Sequence, residues 1–427
     1  MKVGEHLCPG VLHAVQAKDG LLIRIRVPGG LIEANQLRTV ANLSHNFADG
    51  TIEITSRANL QLRAIRNQNL PNIIESISLA GLLPSPQHDR VRNIVTSPIA
   101  GLDGEELLDS RPLIRELDRQ LRAKPIFANL HPKFSFAIHG GPSRFSRDLD
   151  DIAIEAVDIN SAPQFHLSIG GLSSGLIVNR SDAIECMLAI AQMCIRLANE
   201  CSIPVRAKAV MRIPDAKKQV ADALSHLLTP SPMAPPSHTV NEAPLGVYPT
   251  PQDGRVSIIP SVPLGRLNPE QARYLADASK EWEGDLRLAP WRGVVLGSIP
   301  ESAADHIVGH LCAMGLSCEG RDGFQGIAAC AGITGCEASL ADVRADAGSL
   351  AKRLFGHAVP FGWTVNLSGC DKQCARRQGA TAELIAGPSG YTLNIAGRRV
   401  ASDCSREFAL DAVAAMHENL LSEVAAR

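Results

Sequence analysis

The chain has 427 residues, 45% hydrophobic and 20% charged, with a formal charge of -2 at pH 7 and a mean hydropathy of +0.02. That mixture supplies buried cores for two or more domains and excludes a disordered chain, and the near-neutral charge leaves no global field for nucleic acid or an anionic membrane. Without such a field any anion site must be local, and no apolar run approaches the ~18 residues of a membrane span.

The N-terminal stretch MKVGEHLCPGVLHAVQAKDG has no apolar h-region before a small-residue cleavage site, and a cytoplasmic location is expected. There the eleven cysteines should be reduced thiols, so a cluster of them points to metal or redox chemistry more than to disulfides. From Asp19 the chain reads DGLLIRIRVPGGLIEANQLRTVANLSHNFADGTIEITSRANLQL. This predicts an alternating strand, a turn at Gly30, a helix containing Gln36-Leu-Arg, a turn at Gly50 and a second strand. In TSRANLQLR, strand alternation places Arg57, Asn59, Gln61 and Arg63 on one face, with Ala58, Leu60 and Leu62 on the other. A face with two guanidinium groups suits carboxylates, because arginine's planar fork matches them; the plainer reading is a solvated strand face. KFSFAIHGG, DIAIEAV and FHLSIGG follow as strands, then a helix over 182–200 opened by Asp182-x-x-Glu185. Its Cys186 and Cys194, with the nearby Cys201, read as packing residues.

Residues 228–251 hold seven prolines and predict an extended linker. Beyond it the first module recurs about 235 residues later: DGRVSIIPSVPLGRLNPEQARYLADASKEWEGDLRLAPWRGVVL, from Asp253, with turns at Gly265 and Gly284 and Gln271-Ala-Arg in its helix. GWTVNLSGC, ATAELIAG and YTLNIAG then repeat the later strands in order. One such module leaves sheet edges unpaired, so two copies are expected to complete one sheet. The copies differ in their thiols. Only the second has Cys330 and Cys336 in CAGITGC, spaced x5, and Cys370 and Cys374 in GCDKQC, spaced x3, on either side of a helix ending at Gly356. Neighbouring glycines let backbone amides approach sulfur. The x5 arm is longer than a usual zinc knuckle, and bacterial ferredoxins use x2 spacing; an iron-sulfur cluster, zinc and unliganded thiols all remain open on spacing alone.

On these residues the chain resembles the sirohaem-dependent nitrite and sulfite reductase superfamily, whose [4Fe-4S] cluster is held by C-x5-C and C-x3-C. Within it, CPGVLHAV, DGLLIRIRVPGG, TSRANLQL, HPKFSFAIHGG, LAPWRGVVL, ACAGITGC and SGCDKQCA resemble the precorrin-3B synthase family of aerobic cobalamin biosynthesis. The resemblance implies an α+β fold, sandwich-like and internally duplicated. Residues 1–85 and 252–311 would form ferredoxin-like half-domains, 86–228 a cluster-type domain lacking the cysteines, 229–251 the linker and 312–427 the [4Fe-4S] domain.

The implied activity is an O2- and NADH-dependent monooxygenase that hydroxylates precorrin-3A at C20 and closes a γ-lactone. The implied cofactors are a [4Fe-4S] cluster on Cys330, Cys336, Cys370 and Cys374, and an additional non-haem iron. Electrons would come from NADH through a separate reductase, since no GxGxxG follows a strand. In the reductases the last of these sulfurs meets sirohaem iron, which points to Cys374 as the one facing the macrocycle. Arg57, Asn59, Gln61, Arg92, Lys133 and Arg292 are the expected macrocycle-binding residues, although Arg292 could instead stack on Trp291. Arg376 and Arg377 are further candidate cations. Ligands of the second iron are not legible; His13, His131, His139 and His166 are candidates by position alone. Ser135 stands where many reductases have a second lysine, and the x3 arm lacks their proline- and asparagine-containing form. Both departures weigh against the alternatives of a sirohaem sulfite or nitrite reductase subunit. A simple electron carrier has no use for duplicated arginine-bearing modules.

Overall fold

The computed structural model describes residues 8–141, 150–233, 244–359, 362–376 and 379–425. The first half-domain runs β1 (Val15–Ala17), β2 (Gly20–Ile25), α1 (Ala34–Phe47), β3 (Ile52–Ile54), β4 (Leu60–Ile65) and α2 (Leu70–Leu79). An α/β module follows: β5 (Ile94–Val95), α3 (Arg111–Ala123), β6 (Phe136–His139), β7 (Ile152–Ile159), β8 (Ala162–Ile169), β9 (Leu172–Asn179), α4 (Ala183–Glu200), α5 (Ala207–Val210), α6 (Ala216–Ala223) and β10 (Leu228–Pro230). The second half-domain comprises β11 (Gly246–Pro249), β12 (Arg255–Ile259), β13 (Arg266–Leu267), α7 (Pro269–Glu281), β14 (Asp285–Ala289), β15 (Gly293–Pro300) and α8 (Glu301–Ala313). The last module is β16 (Ile327–Ala329), α9 (Gly332–Gly335), α10 (Val343–Leu354), β17 (Val365–Ser368), β18 (Ala382–Gly387), β19 (Gly390–Ile395), β20 (Arg398–Cys404) and α11 (Arg406–Ala425).

The repeated glutamines have a physical role. Gln36 accepts the backbone N–H of Glu33 at 3.0 Å, as Gln271 accepts that of Asn268 at 2.8 Å, so each closes its helix N-terminus. The same side chains donate to the ends of the following helices, Gln36 to the Ala80 carbonyl and Gln271 to that of Met314. Contacts between α1 and α7 are reciprocal: Arg38 pairs with Asp277, and Arg273 donates to Asn42 at 3.0 Å. Equivalent residues thus meet each other's counterparts across a pseudo-twofold axis.

The sheets obey the same axis. The first runs β1-β2-β4-β3-β13, taking its edge strand from the other half through Arg266↔Glu53 and Leu267↔Ile52. An antiparallel bridge at Leu31↔Arg287 repeats the exchange for the sheet β11-β12-β15-β14. Gly30 (φ +68°) lies at this junction, and a Cβ there would fall on the Leu288 carbonyl. Both halves share one apolar core, with Leu37 and Val40 of α1 meeting Leu275 and Ala276 of α7, all fully buried. The two copies thus keep separate sheets instead of completing one, and each supplies an edge pairing to the other.

The flanking modules also match. In the orders β5-β6-β7-β8-β9-β10 and β16-β17-β18-β19-β20, the first two pairings are parallel and the rest antiparallel. Each has its own core, the first under α4 with Phe127, Phe136, Phe165, Cys186 and Cys194, the second around Leu350, Trp363 and Leu367. Cys201, just past α4, is exposed. The proline-rich segment is not a free linker at its ends: Leu228–Pro230 pairs with β9 and Gly246–Pro249 with β12. Its residues 234–243, like Arg377, lie outside the described residues.

Candidate functional site

β16 and β17 are parallel neighbours, with Ala329 beside Leu367, and both cysteine loops leave their carboxyl ends. Cys330 follows Ala329 directly, and its N–H donates to the Leu367 carbonyl at 3.2 Å. Gly369 sends its N–H to the Cys330 Sγ at 3.3 Å. Leu340 N–H binds the Gly369 carbonyl at 2.8 Å and Ser339 N–H binds that of Cys336 at 3.2 Å, which laces the two loops together. Cys330, Cys336 and Cys370 are partly buried, Cys374 is exposed, and none is in a disulfide. Soft thiolates with a backbone N–H on sulfur suit an iron-sulfur cluster, in which each sulfur takes a different iron.

A single ion is another matter. The register sets His139, Glu155 and His166 abreast on β6, β7 and β8. Yet neither these nor any other three His, Cys, Asp or Glu side chains among the described residues converge to hold one metal ion. His13 is 3.1 Å from Asp89, His131 accepts the Lys133 N–H, and His166 pairs with Ser173. The described residues thus do not fit the additional non-haem iron.

The first half-domain contributes a group of arginines that sequence reasoning missed in part. Arg24 on β2 and Arg26 immediately after it alternate with Ile23 and Ile25, which face the core. Arg26 is 3% exposed; it donates to the Arg90 carbonyl at 3.3 Å, but its Nε and Nη1 have no partner. Arg24 donates to Gln61 at 2.8 Å and leaves its Nε unpartnered. Gln61 in turn binds Glu53 at 2.6 Å. Burial, and then repulsion from Arg24, pushes the Arg26 pKa down to about 9. Burial likewise lowers that of Arg24, which also feels the charges of Arg57 and Arg292. Buried cations short of acceptors are unfavourable until an anion arrives. The signal was available in IRIR: charges alternate with core residues on a strand covered on both faces.

The expected macrocycle residues divide. Arg57 does not lie on a strand: Thr55–Ala58 turns, with Ala58 at φ +53°, and β4 begins at Leu60. Its guanidinium reaches the Lys133 carbonyl at 3.5 Å, and Lys133 is half-buried. Asn59 is buried and its side-chain oxygen accepts the Val27 N–H at 2.9 Å, a backbone role. The solvated-face reading fails, since Gln61 and Arg63 are buried as well. Arg92 forks onto Asp118 at 2.6 and 3.1 Å inside the first α/β module, so its charge is neutralised there. Arg292 (φ +67°), between β14 and β15, donates to the Ala375 carbonyl at 2.6 Å, next to Cys374. Trp291 packs with Ile99, Leu102, Ile259 and Val295. The fold therefore brings Arg292 beside the loop after Cys374, sets Arg24 within charge range of Arg57 and Arg292, and commits Arg92 to Asp118.

A duplicated pair of half-domains, each followed by a cluster-type module, defines a class of redox proteins, and the comparisons agree. The nitrite/sulfite reductase ferredoxin-like half-domain matches residues 13–80 and 248–314. The nitrite and sulphite reductase 4Fe-4S domain matches 87–190, the copy whose strand-end loops lack cysteines. The chain belongs to the nitrite/sulfite reductase family. It is 29% identical over 406 residues to a precorrin-3B synthase of Sinorhizobium sp, covering 91% of this chain and 82% of that one. It is 27% identical over 390 residues to a ferredoxin–nitrite reductase of Synechococcus elongatus (85% and 76% covered). The structure of the Mycobacterium tuberculosis NirA protein superposes with a TM-score of 0.78 over 92% of this chain and 79% of that one, at 24% identity, a likeness of fold. The chain is thus an oxidoreductase-family protein with a 4Fe-4S domain, and no helix among its described residues is long and apolar enough to cross a membrane.

Proposed function

We propose that the chain is a precorrin-3B synthase: a monooxygenase that places one atom of O2 on C20 of precorrin-3A, sends the other to water, and forms the γ-lactone. The observation that carries this reading is the pair formed by half-buried Arg24 and buried Arg26, which leave guanidinium N–H groups unsatisfied while lying within charge range of Arg57, and Arg24 also of Arg292. A polycarboxylate macrocycle supplies the missing acceptors. The likeness to the Sinorhizobium protein supports it, as does Ser135 in place of a second lysine.

In this reading Cys330, Cys336, Cys370 and Cys374 hold a [4Fe-4S] cluster, which when bound supplies single electrons. Arg24, Arg26, Arg57 and Arg292 neutralise ring carboxylates and fix the macrocycle's orientation. Gln61 holds Arg24 at the correct angle while itself tied to Glu53. Lys133 is available as a further cation. Arg292 couples this grip to the loop after Cys374. NADH electrons arrive through a separate reductase.

The test is incubation with precorrin-3A, reductant and 18O2. A product heavier by one labelled oxygen atom is expected; no mass gain overturns the proposal. A second reading, a sirohaem nitrite or sulfite reductase, is favoured by the nitrite reductase relative. An iron isobacteriochlorin absorbance in the purified protein, with nitrite- or sulfite-dependent oxidation of reduced ferredoxin, would establish it instead.

A further inference from the structure

The loop bearing Cys336 is tied to a distant part of the chain. Arg63, on β4, forks onto Asp19 with Nε–Oδ2 at 2.9 Å and Nη2–Oδ1 at 3.0 Å. The same Nη2 donates to the carbonyl of Gly335 at 2.6 Å, immediately before Cys336. Lys18, next to Asp19 in the β1–β2 turn, donates from Nζ to the carbonyl of Ile333 at 2.8 Å. A Cβ at Gly335 would stand 2.7 Å from Arg63 Nη2 and 3.2 Å from Asp19 Oδ2, so a larger residue forces the arginine away.

The duplication provides a control within one molecule. Aligned on their Asp-Gly turns, Gln252 stands where Lys18 does. β15, the counterpart of β4, reads GVVLGSIP and carries no cation. At that junction the loop of the cysteine-free copy meets the second half-domain around a cavity of about 250 Å³, lined by Ile99, Leu102, Tyr248, Pro249 and Ile259. Its polar tie is elsewhere, Arg111 to Asp285 at 3.0 Å. At the equivalent positions of the cysteine-free copy, Gln252 and β15 supply no such cation.

We infer that Lys18, Asp19 and Arg63 are positioning residues for the cysteine loop, a clamp that holds Gly335 and therefore Cys336 in register for cluster binding. The inference rests on the cluster reading above. Arg63 and Asp19 together are close to neutral, so the clamp acts through directed hydrogen bonds more than through a field on the cluster. Arg63 is 5% exposed, and its removal leaves the Asp19 carboxylate and the Gly335 carbonyl without their donor.

Hydrogen exchange of residues 331–340 in the full apo chain tests the clamp without requiring a cluster. Arg63→Met should exchange about tenfold faster or more, the loss of one charge-assisted hydrogen bond, with partial recovery in Arg63→Lys. Lys18→Met, at an exposed position that leaves folding untouched, should show a smaller rise. Arg111→Met, which breaks the tie in the cysteine-free copy, should leave this segment unchanged. In reconstituted protein Arg63→Met should also lose iron and labile sulfide in air faster than wild type. Unchanged exchange at 331–340 in both Arg63→Met and Lys18→Met, or an equal rise in Arg111→Met, overturns the clamp. A wild type that assembles no cluster while the exchange differences hold refutes the cluster assignment and leaves the clamp in place.

Discussion

Replacing Arg26 by Met should make the ligand-free protein more stable and its grip on a tetrapyrrole weaker. The guanidinium is 3% exposed, makes one hydrogen bond and leaves Nε and Nη1 unsatisfied. Burial and the neighbouring Arg24 bring its pKa from 12.5 to about 9, so it stays cationic at pH 7 and bears the full penalty. At about 1.4 kcal/mol for each pH unit of that depression, the penalty is on the order of 5 kcal/mol. Methionine keeps the apolar stem and drops the charge, so a gain of about 1 to 3 kcal/mol is expected, several degrees or less in Tm for a chain of this size. Binding should move the other way, because a buried ligand carboxylate would lose its partner at roughly 2 to 5 kcal/mol. Differential scanning calorimetry of the apo protein and titration with an octacarboxylate porphyrin, used as a probe, read the two effects separately. A variant that is less stable than wild type and binds the probe equally well would refute the argument that Arg26 awaits an anion.

The remaining expectations are simpler. Arg92→Leu should lower stability by about 3 to 5 kcal/mol, moderated by Arg122, which also holds Asp118, and should leave probe affinity unchanged; a selective loss of affinity would return Arg92 to the cleft. Cys330→Ser and Cys374→Ser should each prevent cluster assembly, and iron and labile sulfide at wild-type levels would remove those ligands from the assignment. Glu106, pushed up to about 7 by burial, keeps a proton in the folded chain that the unfolded chain releases near 4.5. Stability should therefore fall as pH rises from about 4.5 to 7, by on the order of 3 kcal/mol, and Glu106→Gln should flatten that slope in pH-dependent denaturant unfolding. Parallel curves for the two proteins would show that Glu106 does not contribute it.

The amino-acid sequence by itself determined the duplication, because the features that repeat are local. An Asp-Gly turn, a capping glutamine three residues into a helix and alternating strands each act within a few residues, so Gln36 and Gln271 carry the same two bonds in both copies. The glycine-flanked thiols were legible for the same reason, each pair lying in a short loop after a strand. Which cations serve the site was decided only by tertiary structure. The sequence singles out Arg92 and passes over Arg26, yet the first meets Asp118 from a helix later in the chain and the second pairs with no carboxylate among the described residues. Arg57 left its predicted strand because the chain turns at Ala58, and Arg63 found its partners in Asp19 and, 272 residues away, in Gly335. A side chain's charge is written in the chain, but whether that charge is already neutralised depends on neighbours brought close through space.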